Sequence, residues 1–155
     1  MEETFNEAIE ELKRADHLIF VSLKYTRTVD VIKNVIERLI NCFDCIIGAL
    51  LKKQISDEKL EEIPSSVVGR VNEIKKLYPD DRQIIEWLDF YMVLRSISKA
   101  KFDRSMEYRR HVTMTATLVD GTVMQVDIDR IHEYFDKTKE FIEYARNIMF
   151  KTEQS

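Results

Sequence analysis

The longest apolar segment of the chain is Val31-Ile-Lys-Asn-Val-Ile-Glu-Arg-Leu-Ile-Asn-Cys-Phe-Asp-Cys-Ile-Ile-Gly-Ala-Leu-Leu-Lys-Lys53. Its apolar residues recur at the 3.6-residue spacing of an α-helix, in two adjacent stripes. The first stripe is Val31, Val35, Leu39, Cys42, Ile46, Ala49 and Leu50, and the second is Ile32, Ile36, Ile40, Phe43 and Ile47. A helix that is apolar around so much of its circumference lies inside a bundle. The segment therefore predicts a central helix covered by other helices.

The rest of the chain contains little turn chemistry, because only 3 of its 155 residues are Gly and 2 are Pro. Such a composition argues against a many-stranded sandwich or barrel. Apolar spacing predicts further helices over residues 1–15, from about 66 to 77, over 82–110 and over 130–150. The predicted N-caps are Thr28 or Asp30, Ser65 or Ser66, Asp80, and Asp127 or Asp129. Residues 17–25 are apolar but too short to distinguish a helix from an extended stretch.

Two β-branched runs, 111–119 and 122–128, flank the dipeptide Asp120-Gly121. This pattern is typical of a β-hairpin with a tight turn. We therefore expect an all-α fold of four to five helices, with one β-hairpin inserted over about 112–128 before the last helix. The whole chain, 1–155, is predicted to form a single domain.

Several classes of protein are disfavoured by the sequence. No stretch reaches the ~18 uninterrupted apolar residues of a membrane span, and the acidic N-terminus is unlike a signal peptide. Cys42 and Cys45 form a lone C-x-x-C within the predicted central helix, which favours two buried thiols over a zinc or redox site. Glycine-rich phosphate loops, dinucleotide fingerprints and hydrolase elbows are missing from the sequence. We expect a cytoplasmic protein with no membrane contact and no cofactor.

Charge is distributed unevenly along this mildly acidic chain, whose net charge is −4. Residues 95–111 carry six Lys and Arg side chains against two carboxylates, and the stretch ends at His111. Arginine offers a permanent cation shaped for phosphate, and histidine exchanges protons near neutral pH. Together they are sufficient for metal-free cleavage of RNA. The sequence thus points to an anionic ligand, with Arg104 and His111 as the candidate catalytic pair.

On the predicted helix over 82–110, Arg104 and His111 share one face but are ~10.5 Å apart along the axis. Tyr108 falls between them on that face. The two side chains converge only if the helix ends early or a second subunit completes the site. The candidate phosphate-binding residues are Lys101, Tyr108, Arg109 and Arg110. The alternative interpretation is a solvated helix end, where cations are favoured by the helix dipole.

The segment Arg104-Ser105 followed by His111, between a long helix and a final amphipathic helix, resembles the R-x(4–6)-H signature of the HEPN helical-bundle family. The helices that end in Ile-Ile-Gly-Ala-Leu-Leu-Lys-Lys53 and Ala-Arg-Asn-Ile-Met149 are similar to that family's framework. The resemblance implies a four-helical, dimeric protein that is either a metal-independent endoribonuclease or an inactive binding module. It also implies that Arg104 and His111 of both subunits meet at a dimer cleft.

A second resemblance involves Glu37-Arg-Leu-Ile-Asn-Cys-Phe-Asp44, which is similar to the metal-binding helix of the ribonuclease III family. It implies a degenerate form of that domain, with Glu37 and Asp44 on one helix face as candidate metal ligands. Asp103 and Glu107 are further candidates for the same ions, although their spacing of four differs from that of the family. The preferred hypothesis remains a homodimeric RNA-binding protein that needs no metal, and whether it is an enzyme stays open. The other alternative is a non-catalytic accessory protein that docks a protein partner on its hairpin edge.

Overall fold

The structure is a computed structural model that describes residues 1–150. Its elements are α1 (Glu2–His17), a π-helical segment (Leu18–Ser22), α2 (Leu23–Tyr25), α3 (Val29–Ser56), α4 (Val67–Leu77), α5 (Arg82–Lys99), β1 (Lys101–Ser105), β2 (Thr113–Thr117), β3 (Val123–Val126) and α6 (Ile128–Met149). The predicted helical bundle with a β insertion before the last helix is confirmed in outline. The remaining residues of the predicted domain, 151–155, lie outside the described part. Over residues 1–150, no helix combines the length and apolar character that crossing a membrane requires.

α3 is the centre of the bundle, and α1, α4, α5 and α6 all pack against it. Side chains from both predicted stripes are buried, among them Ile32, Ile36, Leu39, Phe43, Ile46 and Leu50. Burying one such side chain contributes about 1.5–3 kcal/mol to folding. The prediction of a central helix is therefore confirmed, and the helix extends slightly beyond 31–53 at both ends.

Helices α3, α4, α5 and α6 begin at side chains that accept hydrogen bonds from their first turns. Thr28, Ser66 and Asp127 are the N-caps of α3, α4 and α6, as predicted. The prediction of Asp80 for α5 is wrong, because Asp81 accepts the N–H of Ile84 at 3.1 Å. Asp81 lies three residues before that donor, which is the spacing a capping carboxylate needs.

Residues 17–25, which the sequence left undecided, are helical and include the π-helical segment Leu18–Ser22. A π-helical turn inserts an extra residue and changes the direction in which the following side chains point. Ile19 and Leu23 are buried, whereas Phe20 is 53% exposed. The Phe20 ring packs edge-on against His132 of α6, with ring centroids 5.3 Å apart.

The predicted helix over 82–110 is confirmed as far as Lys99 and is wrong beyond it. α5 ends at Lys99, and Ala100 is extended, with φ −73° and ψ 154°. The next residues form β1, in which Phe102 lies opposite Ala116 of β2. Pairing satisfies the backbone groups of this stretch, and Phe102 packs against the core. These two gains favour a strand over a longer, highly charged helix.

The predicted hairpin over 112–128 is confirmed as β2 and β3, but it belongs to a larger sheet. The three strands are antiparallel in the order β1-β2-β3. Gly121 turns the chain between β2 and β3 with φ +90°, a backbone conformation that favours glycine. The sheet follows α5 directly and ends at α6, so its position in the chain is as predicted.

The two cysteines lie on α3, with Cys42 in the core and Cys45 at its edge. Cys42 is buried, and its Sγ donates to the carbonyl of Ala8 at 3.3 Å. Burial raises the pKa of Cys42 far above its usual value, and it raises the pKa of the half-buried Cys45 to about 11. Both groups are therefore protonated at neutral pH, and the prediction of two buried thiols is confirmed for Cys42 and only in part for Cys45.

An aromatic cluster fills the space between α3, α5 and α6. The ring of Phe43 stacks on Tyr91 and Phe141, with centroids 5.4 and 5.0 Å apart, and meets the edge of Phe90 at 5.8 Å. Such pairs contribute about 0.5–1.5 kcal/mol beyond the area they bury. Phe43 therefore connects three helices through one side chain.

We expect Phe43→Ala to lower the free energy of unfolding by about 3–5 kcal/mol, because it leaves a cavity among these rings. Urea denaturation followed by circular dichroism measures the loss. Val119→Ala is the control, since Val119 is fully exposed in a turn and its change is expected to stay within about 0.5 kcal/mol. A loss below about 1 kcal/mol for Phe43→Ala would contradict the packing described here.

Candidate nucleic-acid interface

The candidate site is the loop of residues 106–112, called the basic loop below, which joins β1 to β2. Met106 and Tyr108 have positive φ angles of 56° and 66°. Residues other than glycine seldom adopt this conformation, and each instance costs about 1–3 kcal/mol. The loop keeps this shape only because contacts on either side hold it.

Three contacts hold the basic loop in place. The Oε2 atom of Glu107 accepts the N–H of Val29, the first residue of α3, at 3.1 Å. The N–H of Tyr108 donates to the carbonyl of Arg27 at 2.6 Å. At the other end of the loop, Val112 is fully buried. A carboxylate is also favoured at a helix N-terminus, where the helix dipole is positive, so Glu107 stabilises both α3 and the loop.

Arg104 lies on β1 opposite Met114, which is fully buried. Directly opposite side chains share a face of a sheet, so Arg104 is on the face that packs toward the helices. Its Nη2 atom lies 2.9 Å from Asp30 Oδ1, and its Nη1 atom lies 3.7 Å from Glu107 Oε2. The hydrogen bond to Asp30 raises the pKa of Arg104 above its usual value. This predicted catalytic cation is thus already paired with two carboxylates.

The remaining polar side chains of the basic loop point into solvent. Tyr108 is 77% exposed, and Arg109, Arg110 and His111 are exposed as well. Within residues 1–150, these four side chains make no ion pair and no side-chain hydrogen bond. The loop therefore presents one aromatic ring, two permanent cations and one imidazole whose binding capacity is unused by the described fold.

The prediction that Arg104, Tyr108 and His111 share one helix face is wrong, because α5 ends at Lys99 and the three residues follow it on a strand and a loop. Lys101 lies at the start of β1, about 13 Å along the strand from Ser105, the residue that precedes the basic loop. Of the predicted site residues, the structure keeps together those of the basic loop, and Arg104 joins them through Glu107.

The four carboxylates proposed as metal ligands lie on separate elements. Glu37 and Asp44 are on α3, where Asp44 accepts a hydrogen bond from the hydroxyl of Tyr91. Asp103 is exposed on β1, and Glu107 caps α3 from the basic loop. No cluster of three or more His, Cys, Asp or Glu in the described part of the chain is arranged to hold a metal. The prediction that these four residues form one site is wrong, because Glu107 lies at the first residue of α3, whereas Asp44 lies roughly 22 Å further along the axis of that helix.

Sequence reasoning missed the short segment between α2 and α3 that neighbours the basic loop. Arg27 accepts the loop's backbone hydrogen bond, and Tyr25, two residues earlier, is 78% exposed. Lys24 is exposed beside it. The signal was present in the sequence, since residues 24–27 repeat the aromatic and basic composition of residues 108–110.

Comparisons with protein-family models, with curated proteins and with solved structures find no match to this chain. The resemblance to the HEPN family therefore stays a prediction.

We expect Glu107→Ala to lower the free energy of unfolding by about 1–2 kcal/mol, since it removes the acceptor for an N–H of the first turn of α3. Thermal and urea denaturation measure the effect. Glu140→Ala, an exposed carboxylate on α6, is the control and is expected to change stability by less than about 0.5 kcal/mol. Equal stability of the two variants would show that Glu107 does not anchor the loop.

Proposed function

We propose that this protein binds single-stranded RNA through the basic loop. The observation that carries the proposal is the group of exposed side chains at Tyr108, Arg109, Arg110 and His111, which lack partners within residues 1–150 and project from a backbone fixed by buried contacts. The choice of RNA over other polyanions follows the resemblance of the Arg104 to His111 segment to the HEPN family.

Each exposed group of the basic loop suits a different part of a nucleotide. The guanidinium groups of Arg109 and Arg110 can donate paired hydrogen bonds to phosphate oxygens. The ring of Tyr108 offers a face on which a base can stack, which is how proteins commonly hold unpaired bases. His111 adds ring nitrogens that can donate or accept a hydrogen bond. These three properties side by side favour a nucleic acid over a simple anion.

A single strand suits this surface better than a duplex. Stacking on Tyr108 requires a base that is free of its own helix, and such bases occur in loops, bulges and single strands. Tyr25, which is also highly exposed, lies two residues from the carbonyl that holds the loop. It provides a second ring for a neighbouring base.

The pairing of Arg104 favours binding without cleavage. In metal-free cleavage a cation must stabilise the charge that develops on phosphate, but Arg104 is within 2.9 Å of Asp30 and 3.7 Å of Glu107. A phosphate at that position would be repelled by both carboxylates. The same pairing argues for a role of Arg104 in holding the basic loop against α3.

The homodimer expected from the sequence stays a prediction, and RNA binding by one loop does not depend on it. A dimer would bring two basic loops to one strand if they face the same side. In that case avidity would raise the overall affinity without any new contact.

Arg109→Gln combined with Arg110→Gln is expected to weaken binding of a fluorescent single-stranded RNA oligonucleotide. Because each phosphate contact to a single strand contributes about 0.7 to the slope of log affinity against log salt, the slope should shrink by about 1.4. Fluorescence anisotropy over a series of salt concentrations measures both quantities.

The matched control is Lys59→Gln combined with Lys76→Gln, which removes the same charge from exposed positions. Lys59 follows the end of α3, roughly 40 Å along the helix axis from the basic loop. We expect the control to keep the slope of the unmodified protein. An equal reduction in both variants would mean that RNA responds to the overall charge and would contradict the proposed site.

Tyr108→Asn tests the stacking part of the same proposal. Asparagine tolerates the positive φ at this position, so the variant removes the ring and keeps the loop conformation. Affinity should fall between about 5-fold and 150-fold, which corresponds to about 1–3 kcal/mol for one stacked base. The salt slope should not change, since no charge is lost.

Cleavage is tested separately. We expect the unmodified protein and His111→Ala to leave end-labelled single-stranded RNA equally intact in EDTA, as seen on a denaturing gel, because Arg104 is already paired. Cleavage that disappears in both His111→Ala and Arg104→Gln would instead support the metal-independent ribonuclease expected from the HEPN resemblance.

A further inference from the structure

A pocket of about 240 Å³ lies where the π-helical segment and the residues after it meet the start of α6. Its walls include Phe20, Leu23, Lys24, Arg27, Ile128 and His132. The pocket is separate from the exposed side chains of the basic loop. The two features are connected through Arg27, whose side chain lines the pocket while its carbonyl accepts the N–H of Tyr108.

Arg27 carries a polar atom that the described fold leaves unsatisfied. Its Nε is inaccessible to solvent and has no hydrogen-bond partner within residues 1–150. A buried donor without an acceptor costs about 1–3 kcal/mol, and more for a charged group. Folded proteins contain few such atoms, and those that occur commonly mark a bound water, an ion or a functional group. Because the described residues supply no acceptor for this donor, a bound water, an ion or a ligand has to supply it.

The charged and polar side chains that line this pocket favour a negatively charged ligand. Lys24 and Arg27 are permanent cations, and His132 adds a nitrogen donor whose ring is held edge-on against Phe20. Within the described residues, no Asp or Glu lines the pocket. Two fixed cations without a carboxylate match a ligand group that carries two negative charges.

A larger groove between α1 and α3 lacks this preference. It has a volume of about 590 Å³, but Glu10 and Glu37 line it together with Lys13, Arg14 and Arg38. Glu11 in the same region already pairs with Arg14 and Arg38. The small pocket is therefore the better candidate for selective binding of an anion.

We propose that the pocket lined by Lys24, Arg27 and His132 binds a phosphate monoester group. The guanidinium of Arg27 and the ammonium of Lys24 contact the phosphate oxygens through charge-assisted hydrogen bonds. The apolar wall formed by Phe20, Leu23 and Ile128 packs against the ring or chain that carries the phosphate. The pocket is smaller than the roughly 300–1,000 Å³ of most small-molecule sites, so it accommodates the phosphate and one adjoining ring.

A phosphate monoester has two natural sources, a free phosphorylated metabolite and the phosphorylated end of a nucleic acid strand. The second source rests on the proposed function, because a strand held by the basic loop would place its end near Arg27. The first source is independent of that function. Both share the chemistry that the pocket recognises.

Isothermal titration with adenosine 5′-monophosphate, adenosine and inorganic phosphate tests the pocket directly. We expect the monophosphate to bind and adenosine, which has no phosphate, to bind at least tenfold more weakly. Lys24→Gln and Arg27→Gln should each weaken binding of the monophosphate about tenfold or more, as expected for loss of one charge-assisted hydrogen bond. Circular dichroism checks the fold of Arg27→Gln, and Lys24 is exposed, so its variant keeps the test valid if Arg27→Gln does not fold.

The variant Arg109→Gln with Arg110→Gln separates this proposal from the proposed function. It should keep full affinity for adenosine 5′-monophosphate even if RNA binding is lost. Loss of monophosphate binding in that variant, unchanged binding in Lys24→Gln, or equal affinities for the monophosphate and adenosine would each overturn the pocket.

RNA oligonucleotides with and without a 5′-phosphate identify the source of the phosphate. A preference for the phosphorylated strand that disappears in Lys24→Gln assigns the pocket to the RNA end. Monophosphate binding without such a preference assigns it to a free phosphorylated molecule. If neither the monophosphate nor either RNA strand binds Lys24→Gln more weakly than it binds the unmodified protein, the pocket is rejected. RNA binding by the basic loop then remains a separate result.

Discussion

Burial of α3 on almost every side is the constraint on which the rest of the structure depends. Its two apolar stripes require helices around them, and α1, α4, α5 and α6 provide that cover. The first turn of α3 must then find acceptors for its backbone N–H groups. Thr28 supplies one from the same segment, and Glu107 supplies another from the basic loop. The position of the loop is thus a consequence of how the central helix begins.

The features of the fold that the sequence predicts are those set by neighbouring residues. The stripes of α3, the caps Ser66 and Asp127, and the turn at Asp120-Gly121 all depend on short spacings. The position at which α5 ends does not depend on such short spacings. Residues 101–105 contain one large apolar side chain among charged and polar ones, and they form a strand because β2, eight to sixteen residues further on, offers a ladder of backbone partners. Pairing of this kind has no local signal.

The candidate site was predicted in composition but not in geometry. The excess of cations at 95–111 pointed to the segment that the structure exposes as the basic loop, because charge is visible in the sequence. Arg104 and Arg109 look equivalent there, yet one is paired with Asp30 from α3 and the other is exposed. The partner of Arg104 is distant along the chain, so only the tertiary structure distinguishes a structural cation from an available one. Arg27 was overlooked for the same reason, since its importance lies in a buried atom and a backbone contact.

One set of atoms in the basic loop fixes its backbone shape, and another set is exposed to solvent. Its shape depends on the carboxylate of Glu107, the backbone N–H of Tyr108, the buried side chain of Val112 and hydrogen bonds made by the backbone of Arg109 and His111. The side chains of residues 109–111 are exposed and take no part in these contacts. Exposed side chains change stability little when they are replaced. The three positions are therefore open to substitution at low cost to the fold. Substitutions at these positions can change the charge and shape of this surface while the scaffold that presents it stays the same.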